Sequence, residues 1–152
     1  MEELADRVDE QDRLLGVMVS RLQAIQEGWL HRVTVTVCRD ENERILVHRR
    51  SEQLSRFPGH YEVQVGGAVN VGESYEQAAA RELNEELGIR ALPRLLFTFI
   101  NRTGFSPHWR RVHETVVPRV VIADPGEVAC HDWLTEPELR SVLPKSVKAV
   151  PQ

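Results

Sequence analysis

Glu73, Glu76, Glu82, Glu85 and Glu86 lie with Arg81 in one short stretch, Gly67 to Ile89, reading GAVNVGESYEQAAARELNEELGI. At about 100° per residue, Glu82, Glu85 and Glu86 share an arc beside an apolar side formed by Ala79, Ala80, Leu83 and Leu87. Glu82 and Glu86 are like charges four apart, and glutamates in a last helical turn oppose the helix dipole. A sequence selected for stability alone would place lysines there. Oxygen-only carboxylate clusters suit a hard divalent ion, and Mg²⁺ commonly bridges a few carboxylates to a substrate's phosphates. The face is therefore read as a metal site, with Arg81 four residues before Glu85 and able to pair with it. The bland alternative is a solvated acidic helix face.

Ser74 followed by Gln77 forms a capping box, so the helix is expected to start at Tyr75. Gly88 can adopt the left-handed conformation and Ile89 can close a hydrophobic contact behind it, which ends the helix at Leu87. Upstream, Val33, Val35 and Val37 alternate with Thr34, Thr36 and Cys38, predicting a strand with one face in a core. Arg39 to Glu43 is a polar turn and Arg44 to Arg50 the returning strand. Arg49 and Arg50 end it, either as a solvated strand end or with one arginine holding a terminal phosphate. A strand over Glu62 to Val65 delivers the chain to Gly66 and Gly67, where glycine lets the backbone approach a ligand closely. Tyr61 and Phe57 are candidates to stack on a base, the core being the alternative.

Downstream, Arg94 to Arg102 reads as a strand. Thr103 to Trp109 reads as a loop whose Phe105, His108 and Trp109 are candidates for substrate contact. Arg110 to Ala123 is β-rich but interrupted by Pro118, and contains Glu114. Thr135 and Glu138 make a second capping box opening a short helix that Pro144 stops. The tail from Lys145 is expected to be loose. Strands on both sides of one central helix, with a second helix near the end, imply an α/β sandwich with a mixed sheet.

Gly67, Glu73, Arg81, Glu82, Leu83, Glu85, Glu86, Gly88 and Ile89 together fit the pattern Gx5Ex7REUxEExGU, U being apolar, without a gap. The chain thus resembles the Nudix hydrolase superfamily. That resemblance implies an α/β/α sandwich around a central mixed β-sheet, Mg²⁺ (or Mn²⁺) bound by the loop-helix-loop, and hydrolysis of a diphosphate bond, usually in a nucleoside diphosphate derivative. Carried over residue by residue, Glu82 and Glu86 are the foremost metal ligands, followed by Glu85 and the Gly67 carbonyl, while Glu73 supports the loop by pairing with Arg81. Glu85 and Glu114 compete as the base that deprotonates water.

Val8 to Gly16 (VDEQDRLLG) and His31-Arg32 also resemble the start of the isopentenyl diphosphate isomerase branch, which implies an N-terminal hairpin where local pattern over Leu4 to Ser20 is ambiguous. Arg21 to Glu27 follows as a short helix ended by Gly28. The isomerase alternative lacks its catalytic cysteine, since Gly66 stands there, and a metal histidine, since Ala68 stands there; His31 is then expected as a packed or surface residue. A non-catalytic nucleotide-binding module is the other alternative, and such modules usually lose box glutamates that this chain keeps.

At 152 residues, 41% hydrophobic and 28% charged, the chain is expected to form one domain over 1–152. Net charge of −4 and a pI near 5.9 give no footprint for duplex nucleic acid or an anionic membrane. A small-molecule diphosphate is the expected partner, with a homodimer left open. Cys38 and Cys130 form no CxxC pair, Cys38 reads as a packed thiol, and the N-terminus has no signal-peptide pattern, so a cytoplasmic location is expected.

Overall fold

A computed structural model describes residues 3–54, 57–104, 106–118, 121 and 123–142. Along the chain the elements are β1 (Leu4–Val8), β2 (Leu14–Ser20), α1 (Arg21–Glu27), β3 (Arg32–Arg39), β4 (Ile45–Arg50) and β5 (Tyr61–Glu62). They continue with β6 (Val65–Ala68), α2 (Tyr75–Leu87), β7 (Arg94–Asn101), β8 (His108–Val116), β9 (Val128–Leu134) and α3 (Glu136–Val142). Seven strands form one mixed sheet in the order β5-β4-β3-β8-β7, with β6 paired to β3 and β9 to β4. β3 and β8 are parallel, and their partners run antiparallel.

The alternation along β4 places a helix on each face. Leu46 joins Leu83 and Leu87 of α2, together with Val65 and Trp133, whereas Ile45 and Val47 meet Leu139 of α3. Each fully buried leucine of α2 contributes roughly 2 kcal/mol of apolar burial, enough to fix which helix face turns inward. This is the α/β/α sandwich expected from the box. β3 departs from expectation, because Thr34 and Thr36 are as buried as Val33 and Val35. A central strand covered on both faces loses its apolar-polar contrast.

The N-terminal segment is a hairpin, with Leu4 opposite Ser20 and Ala5 opposite Val19. Asp9 closes its turn by accepting the N–H groups of Gln11 and Arg13 at 2.8 and 3.0 Å. Ser20 caps α1 and Gly28 ends it. The expected strand over Glu62 to Val65 is instead two pieces, β5 and β6, interrupted at Val63 and Gln64. β8 starts at His108, so Trp109 lies on a strand rather than in a loop, and it ends two residues before Pro118. β9 was not anticipated from its sequence: VACHDWL mixes polar and apolar residues on both faces and leaves four consecutive side chains exposed. Phe105, Pro144 and the tail from Lys145 lie outside the described residues.

Candidate active site

Both ends of α2 are held as its sequence requires. Ser74 Oγ accepts the Gln77 N–H and the Gln77 side chain accepts the Ser74 N–H, at 3.1 and 2.9 Å. At the other end Gly88, in the left-handed region, donates to Asn84 while Ile89 donates to Leu83. Between these caps the helix presents Arg81, Glu82, Glu85 and Glu86 over the Gly66–Gly67 strand.

Arg81 organises this surface. Its Nε and Nη2 donate to the two Glu73 oxygens at 2.9 and 3.0 Å, Nη1 to Glu82 at 2.9 Å and Glu85 at 3.3 Å, and Nη2 also to the Ala68 carbonyl. Burial alone would raise Glu73, but Arg81 and the Asn70 N–H hold its carboxyl below the usual range. The loop-support role expected for Glu73 thus has a geometric counterpart, as does the Arg81–Glu85 pair.

Glu82 and Glu86 converge with a third carboxylate, that of Glu127. One oxygen from each lies within 4.8 Å of the others. Glu86 is 7% exposed, and its Oε2 is buried without a hydrogen-bond partner among the described residues. Burial, followed by repulsion from Glu82 and Glu127, pushes Glu86 well above the ordinary carboxylate range. Burial also raises Glu82, against the pull of Arg81, and burial and Asp124 raise Glu127. Three oxygen donors forced together, one of the three carboxylates with an oxygen that has no hydrogen-bond partner among the described residues, fit a divalent cation by charge and by donor chemistry. Gly67 is part of the fit, because a Cβ there would stand 2.7 Å from Glu82 Oε1.

The carboxylates open into a cleft of about 340 Å³ lined also by Arg21, His31, Arg50, Leu54, Phe57, Glu62 and Ser106. Such a volume suits a small ligand. A profile of the NUDIX domain matches residues 29–151, which include the box, the cleft glycines and Glu127. The chain belongs to the Nudix family. An uncharacterised Nudix hydrolase of Streptomyces coelicolor is 41% identical over 145 residues, covering 93% of this chain and 80% of its own. A Nudix hydrolase of Deinococcus radiodurans is 32% identical over 142 residues, covering 91% and 82%. The crystal structure of DR0079 from Deinococcus radiodurans superposes with a TM-score of 0.81 at 29% identity, covering 99% of this chain and 93% of that one. As a Nudix pyrophosphohydrolase the protein acts on a phosphorus anhydride, and Nudix hydrolases generally use divalent cations.

Within this Nudix site the residues named from sequence divide into two groups. Glu82, Glu86, Gly67, Arg81 and Arg50 border the cleft. Arg50 Nη1 donates to buried Glu62 at 3.2 Å. Glu85 stands outside the three-carboxylate group, 50% exposed and turned to Arg81. Glu114 does not line the cleft; it forms ion pairs with Arg39 and Arg94 beside a different surface opening. Arg49 pairs with Glu52 and Tyr61 is 41% exposed; neither lines the cleft. Trp109 does not line the cleft; its Nε1 donates to the Asp9 carbonyl at 3.0 Å, anchoring the hairpin turn. Phe57, weighed together with Tyr61, is the aromatic residue that reaches the cleft.

Glu127 and Arg21 were missed. Asp124-Pro125-Gly126 ahead of Glu127 is a readable turn signal, but its position against α2 is not local information. His31 is buried, with Nδ1 3.2 Å from the Trp29 carbonyl, and Cys38 is packed, its thiol pushed up to about 12 by burial and then by Glu86.

Proposed function

We propose that this Nudix hydrolase cleaves the diphosphate linkage of a nucleotide-type small molecule with Mg²⁺ (or Mn²⁺) held by Glu82, Glu86 and Glu127. The observation that carries this reading is the buried Oε2 of Glu86, without a hydrogen-bond partner among the described residues, beside two further carboxylates. The cation, when bound, neutralises the diphosphate and lowers the pKa of a coordinated water. The chain's own residues do the rest. Arg81 locks Glu82 in place through Nη1 and ties it to Glu73, so that the ligand oxygens stay convergent when charge builds up. Gly67 keeps the space that the Glu82 carboxylate occupies, and its carbonyl is a further candidate ligand.

Glu85 is the base in this reading, since it is half exposed, borders the group and acts electrostatically on both Glu82 and Glu127. Arg50 receives a phosphate oxygen, and Phe57 and Leu54 provide the apolar lip for the organic group. Isomerisation of an alkene diphosphate is disfavoured, because a Cβ at position 66 would stand 2.0 Å from the Thr34 carbonyl and leaves no room for a thiol there. The non-catalytic reading is disfavoured by the intact carboxylate set.

The deciding experiment is calorimetric titration of Mg²⁺ and Mn²⁺ into wild type and Glu86→Gln, combined with phosphate release from nucleoside diphosphates, triphosphates and sugar nucleotides. Saturable metal uptake and turnover lost together in the variant are expected. Full turnover in Glu86→Gln would remove that residue from the metal shell.

A further inference from the structure

We propose that Arg21 is an anion-binding residue of the cleft and selects diphosphate substrates that carry a further negative group beyond the scissile linkage. The proposal rests on the function proposed above and names the substrate class for that site. Arg21 precedes the segment matched by the NUDIX profile, so this contribution comes from outside the family domain.

As the first residue of α1, Arg21 has its backbone fixed by the Ser20 cap and by donation of its N–H to the Glu3 carbonyl at 2.8 Å. Its guanidinium lines the cleft, yet its Nε is buried with no partner among the described residues. Among the described residues it makes one ion pair, at 3.2 Å, to Glu3, whose side chain is 63% exposed. An ion pair to a solvated carboxylate contributes little and is readily exchanged for a ligand. Arg81, by contrast, is engaged by Glu73, Glu82, Glu85 and the Ala68 carbonyl.

Arg110 adds a second positive charge acting on His108. It is 6% exposed, its Nε and Nη2 lack partners among the described residues, and Nη1 reaches only Gln64 at 3.5 Å. Burial lowers the pKa of Arg110, against the pull of the Glu62 carboxylate. Arg21 and Arg110 both act on His108, whose pKa burial lowers first, against the Ser106 carbonyl and with the help of these charges.

Leu54 and Phe57, which follow β4, and Ser106, which precedes β8, line the same cleft as Arg21 and the carboxylates. With a diphosphate at the carboxylates and an organic group on Leu54 and Phe57, Arg21 is left to a further group of the same ligand. A phosphate there gains charge-assisted hydrogen bonds, whereas a neutral sugar gains none.

The test uses the full chain and variants Arg21→Gln, Arg21→Lys and Glu3→Gln, each checked for an unchanged circular dichroism spectrum. Inorganic tripolyphosphate is titrated in EDTA, and KM is measured with Mg²⁺ for a nucleoside triphosphate and for a nucleoside diphosphate esterified to a neutral sugar. Expected are a loss of about ten- to a hundredfold in tripolyphosphate affinity in Arg21→Gln and a matching rise in KM for the triphosphate alone. Partial retention is expected in Arg21→Lys, and no loss in Glu3→Gln. Wild-type tripolyphosphate affinity in Arg21→Gln overturns the proposal, as does an equal loss in Glu3→Gln, which would make Arg21 a staple for the N-terminus. Failure of the metal reading appears separately, as absent Mg²⁺ uptake, while the EDTA titration still reports on Arg21.

Discussion

The Asp124 N–H donates to the Glu86 carbonyl at 2.8 Å, tying the turn that carries Glu127 to the last turn of α2. The last carbonyls of a helix have no intrahelical donor, so this bond satisfies one of them and brings the third carboxylate to the other two. Geometry at the site therefore depends on the helix end as much as on the helix face.

Removing either end of that arrangement should separate metal binding from folding. Glu127→Gln and Glu86→Gln are expected to lower Mg²⁺-dependent turnover by about a hundredfold or more, since each deletes a charged ligand. In EDTA neither should destabilise the fold, and the rise in Tm that Mg²⁺ gives wild type should shrink in both. Thermal denaturation with and without EDTA reads both effects.

The two glycines of β6 should behave differently. A Cβ at Gly67 meets a side chain, Glu82, so Gly67→Ala should fold and lose metal affinity. A Cβ at Gly66 meets the Thr34 carbonyl at 2.0 Å, so Gly66→Ala must part β3 from β6 and should cost about 3 kcal/mol or more. Urea unfolding of the two variants, alongside Mg²⁺ titration, distinguishes these outcomes.

Between the two carboxylates weighed as base, Glu85→Gln should reduce kcat by about a hundredfold to ten-thousandfold. Glu114→Gln should stay within about threefold of wild type, because its ion pairs to Arg39 and Arg94 are surface interactions at another opening. A large kcat loss in Glu114→Gln with unchanged Tm would restore it as a candidate.

Acid should weaken the fold through His108. Its Nδ1 lies 2.9 Å from the Ser106 carbonyl, and burial lowers its pKa from 6.5 to about 4. The unfolded chain therefore binds the proton first: this stability is full above pH 6.5 and is lost as pH falls toward 4. The loss is on the order of 3 kcal/mol. His108→Asn keeps a donor for Ser106 and removes the titration, so its stability relative to wild type should improve over that window; parallel curves from pH 7 to 4.5 would contradict this.

Trp109→Phe should cost about 1 kcal/mol by deleting the donation to the Asp9 carbonyl and leave KM unchanged. A rise in KM at constant stability would return Trp109 to the substrate.

By itself the sequence determined α2, both of its caps, the shared face of Glu82 and Glu86, and the Arg81 pair to Glu85, while the Arg81 pair to Glu73 was implied by the family resemblance. Capping, i to i+4 spacing and the apolar stripe are short-range, so they are written where they act. It also carried the family through the box, and with it the sandwich and the N-terminal hairpin. Only the tertiary structure decided that Glu127 and Arg21 join the cleft, that Arg50 rather than Arg49 and Phe57 rather than Tyr61 face it, and that Glu114 and Trp109 do not. Which side of a strand faces a cleft depends on the register of its pairing, and which turn meets a helix end depends on contacts far apart in the chain. Glu127 shows the reason most directly: its turn is legible as Asp-Pro-Gly, while its function comes from a backbone bond to Glu86 that no local pattern encodes.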